Sequence, residues 1–208
     1  MKMVLASQNA HKKVEMEHIL ANYGIELVLQ SELGIHVDVE ETGATFEENS
    51  LIKAKAVMES AGLPAIADDS GLCVDALNGA PGVYSARYGG EGLDDAGRCR
   101  LLLENLRGQL DRKGKFVSVV TACFPNGDVI VARGECPGTI AYAPQGEKGF
   151  GYDPVFFVPS MRKTFAQLTE EEKNAISHRG NALKAFSEKL EAYLAKQQNT
   201  QRRESLWN

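Results

Sequence analysis

Apolar positions recur along this chain in two ways: short continuous runs, and stripes spaced three to four residues apart. Val4-Leu5-Ala6 is a short run that reads as a buried strand. After the turn Ser7 to Lys13, residues Met16, Ile19, Leu20 and Tyr23 fall at i, i+3, i+4 and i+7 of a helix that Gly24 stops. Ile25 to Leu29 predicts a second strand. Ile35 to Val39 alternates and then ends in two acids, Glu40 and Glu41. Thr45 and Glu48 have the spacing of a capping box, so a helix opens there and runs to about Ala61. Gly62 and Pro64 are its stop signals, and Leu51, Ala54, Met58 and Ala61 its expected apolar stripe. Pro64 to Asp75 is apolar on both sides of Asp68-Asp69-Ser70-Gly71. It reads as a buried strand that Ser70-Gly71 is expected to break.

The second half follows the same grammar. Asn78 to Gly82 is a tight loop that places Ser85 and Arg87 close behind the acids. Asp94 or Asp95 caps a helix with Cys99, Leu102, Leu103 and Leu106 on one side. Phe116–Phe124 and Val129–Cys136 flank Pro125-Asn-Gly-Asp128, the strongest short hairpin signal, so the sheet is mixed. Gly149 to Phe157 is a glycine-punctuated loop entering a strand. Thr169 and Glu172 form a second capping box, and Leu183, Phe186, Leu190 and Leu194 stripe the last helix. From about Lys196 the chain is polar, and residues 197–208 are expected to be a frayed tail.

At 208 residues, 43% hydrophobic and 25% charged, the chain suits one large domain or two joined lobes. A net charge of -5 argues against a nucleic-acid polymer as partner, but not against a small nucleotide, which needs only a few local cations. Cys73, Cys99, Cys123 and Cys136 lack zinc-site spacing and read as buried thiols of a reducing compartment. Neither a signal-peptide pattern nor a membrane-length apolar run is present, so a cytoplasmic protein is expected.

Acids and cations cluster where strands meet turns. Asp68 and Asp69, buried at a strand end, are costly unless paired or holding a metal; they are either a metal-binding and base-supplying pair or a polar turn. Ser7 to Lys13 is either a phosphate cradle at a helix start or an Asn9 cap beside solvated lysines. Asn49 and Lys53 share a helix face that points into a cleft or, more often for a lone lysine, into water. Phe150 and Tyr152 offer flat faces for a base, and Asp153 an acceptor. Glu40, Glu41, Asp68, Asp69 and Asp153 with Lys12, Lys13, Lys53, Lys173, His178 and Arg179 match the mixed charge that metal-assisted polyphosphate chemistry needs.

Six segments sharpen this in order: Ser7-x-Asn9-x-x-Lys12, Thr45-Phe-x-Glu-Asn49, Ala67-Asp-Asp-Ser-Gly71, Gly79-Ala-Pro-Gly-x-Tyr-Ser-Ala-Arg87, Gly149-Phe-Gly-Tyr-Asp153 and Ser177-His-Arg-Gly180. Together they resemble the Ham1/RdgB family of inosine/xanthosine triphosphate pyrophosphatases, over roughly Met3 to Leu194. His11, where many relatives carry Gly, is a departure, as is the tail. The resemblance implies an elongated α/β fold with a mixed sheet, flanking helices and two lobes around a central cleft, within residues 1–196. It also implies a homodimer and Mg²⁺-dependent cleavage of ITP, dITP and XTP to the monophosphate and pyrophosphate. Carried over, Ser7, Gln8, Asn9, Ala10, His11 and Lys12 bind the triphosphate. Asp69 is proton acceptor and metal ligand, Glu40 or Glu41 helps hold the metal, and Asp68 and Lys53 support the acids. Ser70, Phe150, Gly151, Tyr152, Asp153, Lys173, His178 and Arg179 line the substrate pocket. The rival readings are a Maf-like pyrophosphatase and a non-catalytic nucleotide-binding module.

Overall fold

A computed structural model describes residues 1–7, 10–90 and 92–205, with the backbone alone at 10, 11, 15, 18, 19, 22 and 199–205. Among these residues β1 (Lys2–Leu5), β2 (Glu26–Leu29), β3 (Ala65–Val74), β4 (Lys113–Cys123), β5 (Val129–Ile140), β6 (Phe156–Val158) and β7 (Lys163–Thr164) form one sheet in the order β2-β1-β3-β4-β5-β6-β7. β1 runs parallel to β2 and to β3, whereas β6 runs antiparallel to β5 and β7. Parallel neighbours need a crossover, and helices α1 (Ala10–Leu20) and α2 (Phe46–Ala61) supply it. Helices α3 (Asp95–Asn105), α4 (Glu170–Ile176) and α5 (His178–Ser205) complete the fold. α5 therefore continues into the stretch expected to fray.

Local signals account for most element ends. Thr45 Oγ1 accepts the Glu48 N–H at 3.1 Å, while Glu48 accepts the Thr45 N–H at 3.1 Å, so the capping box closes from both sides. Thr169 and Glu172 repeat the arrangement at α4. Gly62 ends α2 in the left-handed region, φ 64°, where glycine has no Cβ penalty. Asp94 caps α3 by accepting the Gly97 N–H at 2.7 Å. The Asn-Gly turn closes with the Phe124 N–H on the Asp128 carbonyl at 3.0 Å.

Against expectation, β3 passes through Ser70-Gly71 without a break, because its backbone stays in the ladder while both flanks are apolar and buried. The alternation of Ile35 to Val39 is real and lies outside any strand among the described residues: Ile35, Val37, Val39 and Glu41 are half-buried while His36, Asp38 and Glu40 are exposed.

The chain divides into two units: Met1–Asp68 with Val119–Arg133 and Ala182–Asn208, and Asp69–Ser118 with Gly134–Asn181. In the first, Met3, Leu5, Met16, Leu20, Ile66, Phe124, Leu183, Phe186 and Leu190 form the main core. In the second, Leu72, Leu102, Leu106, Phe116, Tyr152, Phe156 and Phe165 do so. The stripe of α2 is rotated from its expected position. Phe46, Asn49, Ser50, Ala54 and Val57 are buried, and Leu51 is exposed. The four cysteines are unbridged; Cys99, Cys123 and Cys136 are buried as expected, and burial pushes the Cys99 and Cys136 thiols up to about 11, whereas Cys73, on β3, is only half-buried. Replacing Thr45 with Ala removes one half of the capping box and is expected to cost about 1 kcal/mol of unfolding free energy in denaturant titrations, without a change in m-value.

Candidate active site

In the first unit the site begins with a charge problem. Asp68 lies within β3 with no exposed side-chain surface, and an ion so placed costs several kcal/mol unless it is matched. Lys12, in the first turn of α1, answers it with Nζ 2.9 Å from Asp68 Oδ1. The helix start at Ala10 puts Lys12 and Lys13 inside the helix, not in the turn before it. Lys13 is drawn aside to Glu32 at 2.7 Å and Glu17 at 3.4 Å, and the Glu32 hydrogen bond raises its pKa. Of the expected cradle, Ser7 and Lys12 are thus described in full, and Ala10 and His11 by their backbone. Gln8 and Asn9 lie outside the described residues.

A cavity of about 260 Å³ opens beside Ser7, lined by Ala6, Gln30, Val37, Asp38, Val39, Glu41, Lys53 and Val57. Lys53 does not point into water. It is largely buried, with Nζ 2.8 Å from Glu41 Oε1. Asn49, one turn earlier, is fully buried and accepts the Gly43 N–H at 2.8 Å. The alternating burial also separates the two glutamates: Glu41 lies on the cavity side and Glu40 on the exposed side. Carboxylate oxygens are the donors a hard divalent cation selects, and Mg²⁺ commonly takes only one or two of them. The cavity-lining acids suit such an ion. Among the described residues no three His, Cys, Asp or Glu side chains converge as a ready-made cage.

The second unit holds Asp69, Ser70 and a cluster around the glycine-punctuated loop. Asp69 follows Asp68 on the same strand, so its side chain leaves by the opposite face, and it too is buried. Asp153 is buried, 2.5 Å from Lys173 Nζ, and also accepts the Phe150 N–H at 3.0 Å. Burial pushes its carboxyl above the usual range, while Lys173 and the Phe150 amide act in the other direction. A Cβ at Gly149, φ 77°, would collide with the Asp153 carboxylate, so only glycine fits. Asp153 is therefore occupied in holding the loop and does not stand open as an acceptor.

Phe150 and Tyr152 part company. Phe150 is 47% exposed, with Lys173 Nζ 4.9 Å and the Arg179 guanidinium 5.9 Å from its ring centre. Tyr152 is 4% exposed, packs in the core and donates its hydroxyl to the Ser85 carbonyl at 2.8 Å, so it offers no platform. Burial raises its pKa, keeping the phenol protonated as donor. His178 opens α5 with its ring stacked on Phe116 at 4.7 Å, and Arg179 beside it is 5% exposed. Ser177 Oγ accepts the Gly180 N–H at 3.0 Å and caps that turn.

The model of the Ham1 family matches residues 3–189. This chain belongs to the Ham1 family. Within it, a dITP/XTP pyrophosphatase of Clostridium perfringens is 48% identical over 201 residues, covering 93% of this chain and 98% of the relative. One of Escherichia coli O157:H7 is 50% identical over 193 residues, covering 91% and 98%. A solved HAM1 protein from Coxiella burnetii superposes with a TM-score of 0.88 at 45% identity, covering 92% of this chain and 99% of that one. The mixed seven-stranded sheet with flanking helices is thus the Ham1 fold.

Sequence reasoning missed Gln30 in this Ham1 chain. It is 5% exposed, lines the first-unit cavity and accepts the Val37 N–H at 3.0 Å. A lone Gln after an apolar run carries no signal; its partner is set only when residues 35–44 fold back. Removing one member of a buried pair leaves the other uncompensated. Lys12→Met is expected to cost about 3–5 kcal/mol by urea unfolding, and Lys12→Met/Asp68→Asn less than that single change. Tyr152→Phe is expected to cost about 1 kcal/mol in the same titration, through the Ser85 carbonyl it abandons.

Proposed function

We propose that this chain is a nucleoside-triphosphate pyrophosphatase that hydrolyses ITP, dITP and XTP to the monophosphate and pyrophosphate with Mg²⁺, clearing non-canonical purines from the nucleotide pool. The observation that carries the reading is its identity of 48–50% to dITP/XTP pyrophosphatases over nearly the full length of both chains. Two further parts of the proposal, a homodimer and a cytoplasmic location, rest on that kinship. Among the described residues no helix is long and apolar enough to cross a membrane.

Each residue then takes a part its chemistry allows. Ser7, Lys12 and the intervening Gln8 to His11 receive the triphosphate, where the positive end of the α1 dipole favours an anion. Glu41, on the cavity side, is the metal-ligating glutamate rather than exposed Glu40, with Asp69 as the other acid. Bound Mg²⁺ would neutralise phosphate charge and make water a better nucleophile. Asp69 accepts the proton of the attacking water. The water oxygen bonds to the α-phosphorus as the bond to the bridging oxygen breaks, and pyrophosphate leaves with that oxygen. Asp68, neutralised by Lys12, and Lys53, holding Glu41, support the acids.

At the base, exposed Phe150 supplies the stacking face, braced by Lys173 and Asp153. Arg179 or a main-chain N–H donates to O6, an acceptor that hypoxanthine and xanthine share. Adenine has an amino group there, which leaves the donor unpaired, and such a polar mismatch discriminates by ~10⁴-fold or more.

Pyrophosphate release from ITP, XTP, dITP, GTP and ATP, with Mg²⁺ and with chelator, tests the whole. Metal-dependent release from the first three and little from the last two is expected. Orthophosphate as product would move the attack to the terminal phosphate and defeat the mechanism. Tight ITP binding without turnover would favour the binding-module reading. Asp69→Asn is expected to lower kcat by about 10²–10⁴-fold with unchanged melting temperature. Phe150→Ala is expected to raise KM for ITP about 5- to 150-fold, as loss of one stacked base implies.

A further inference from the structure

Residues 35–44 carry Glu41 with side-chain burial that alternates, and among the described residues they lie in no strand; the Thr42 N–H bonds the Glu40 carbonyl at 3.0 Å, so the backbone turns at Glu41. A segment of burial period two has a specific weakness. A slip of one residue turns every side chain to the other face, and here it would swap Glu41 for Glu40. Something other than a ladder must hold the register.

Two amide side chains do so. Gln30 Oε1 accepts the Val37 N–H at 3.0 Å, and Asn49 Oδ1 accepts the Gly43 N–H at 2.8 Å. Gln30 is 5% exposed and Asn49 is fully buried, so the acceptor side of each bond is buried while Val37 and Gly43 are half-buried. They bracket Glu41 from either side. The fit at the second bond is tight: a Cβ on Gly43 would lie 2.6 Å from Asn49 Oδ1 and 2.6 Å from Glu48 Cβ. Glu48 adds bonds from the Ala44 N–H at 2.6 Å and the Thr45 N–H at 3.1 Å. Val37 packs on Val4, Val28, Val57 and Ala65, which weights the same parity. On α2, Asn49 and Lys53 lie one turn apart, so the helix that fixes the backbone at Gly43 also presents the ammonium that meets Glu41 at 2.8 Å.

The geometry points to Gln30 and Asn49 as positioning residues that lock the register of residues 35–44, so that Glu41 and not Glu40 faces the cavity as the carboxylate for a divalent cation. They act through Glu41, by holding the backbone on either side of it. This rests on the assignment of Glu41 as a metal ligand.

The test titrates Mn²⁺ onto the full chain by electron paramagnetic resonance and maps amide hydrogen exchange on the same variants. Glu41→Gln is expected to weaken Mn²⁺ binding and Glu40→Gln to leave it unchanged. Gln30→Met and Asn49→Leu, which remove the acceptors, are expected to weaken it about 10- to 100-fold, the range for groups that orient a ligand. Exchange should quicken over residues 35–44 and keep its wild-type rate in β1 and β3. Gln30→Glu and Asn49→Asp keep an acceptor and are expected to restore slow exchange there. Gly43→Ala opens the second bond from the loop side, away from the core, and keeps the test decisive if Asn49→Leu unfolds.

Unchanged Mn²⁺ affinity in folded Gln30→Met and Gly43→Ala, alongside a loss in Glu41→Gln, would overturn the positioning role alone. Unchanged affinity in Glu41→Gln would overturn the ligand assignment and this inference with it, while pyrophosphate release from ITP would still decide the activity separately.

Discussion

A carboxylate with no exposed surface, inside a strand that has neighbours on both sides, constrains how the first unit is built. Asp68 cannot be hydrated within β3, so a cation comes to it, from Lys12 in the first turn of α1. That pair ties α1 to the sheet. A well-packed apolar residue at 68 would serve stability as well or better, because buried ion pairs rarely repay their desolvation. The fold is arranged to tolerate the charge.

The same pairing recurs at two other acids. Lys53 meets Glu41, and Lys173 meets Asp153, each within 2.8 Å. In every case the lysine comes from a helix and the acid from a strand or from a turn or loop outside the helices. Helices bring charge on long stems to carboxylates that more rigid backbone holds in place. Such pairing holds the acids in place in advance, which limits the reorganisation that a charged ligand would require.

The aromatic residues divide the labour in the second unit. Tyr152 and Phe116 belong to its core, and the Tyr152 hydroxyl and the His178 ring are both placed by packing. Phe150, two residues before Tyr152, stands out of that core because Gly149 turns the chain over the Asp153 carboxylate. One exposed ring on a rigid base is what a stacking platform needs, and the buried Tyr152 supplies the rigidity.

The sequence by itself determined whatever depends on residues a few positions apart. Both capping boxes, the Asn-Gly hairpin, the glycine stop of α2 and the family motifs are of this kind, since a cap or tight turn closes within three to five residues and needs no distant partner. Only the tertiary structure decided the rest. β3 runs unbroken because neighbouring strands hold a backbone that Ser70-Gly71 would otherwise release. Asn49 and Lys53 turn inward because residues 35–44 come back over α2, and Leu51 turns outward for the same reason. Tyr152 is buried because Ser85, distant in sequence, accepts its hydroxyl. Glu40 and Glu41 are equivalent as letters. They differ only once Gln30 and Asn49 fix which parity of residues 35–44 faces the cavity.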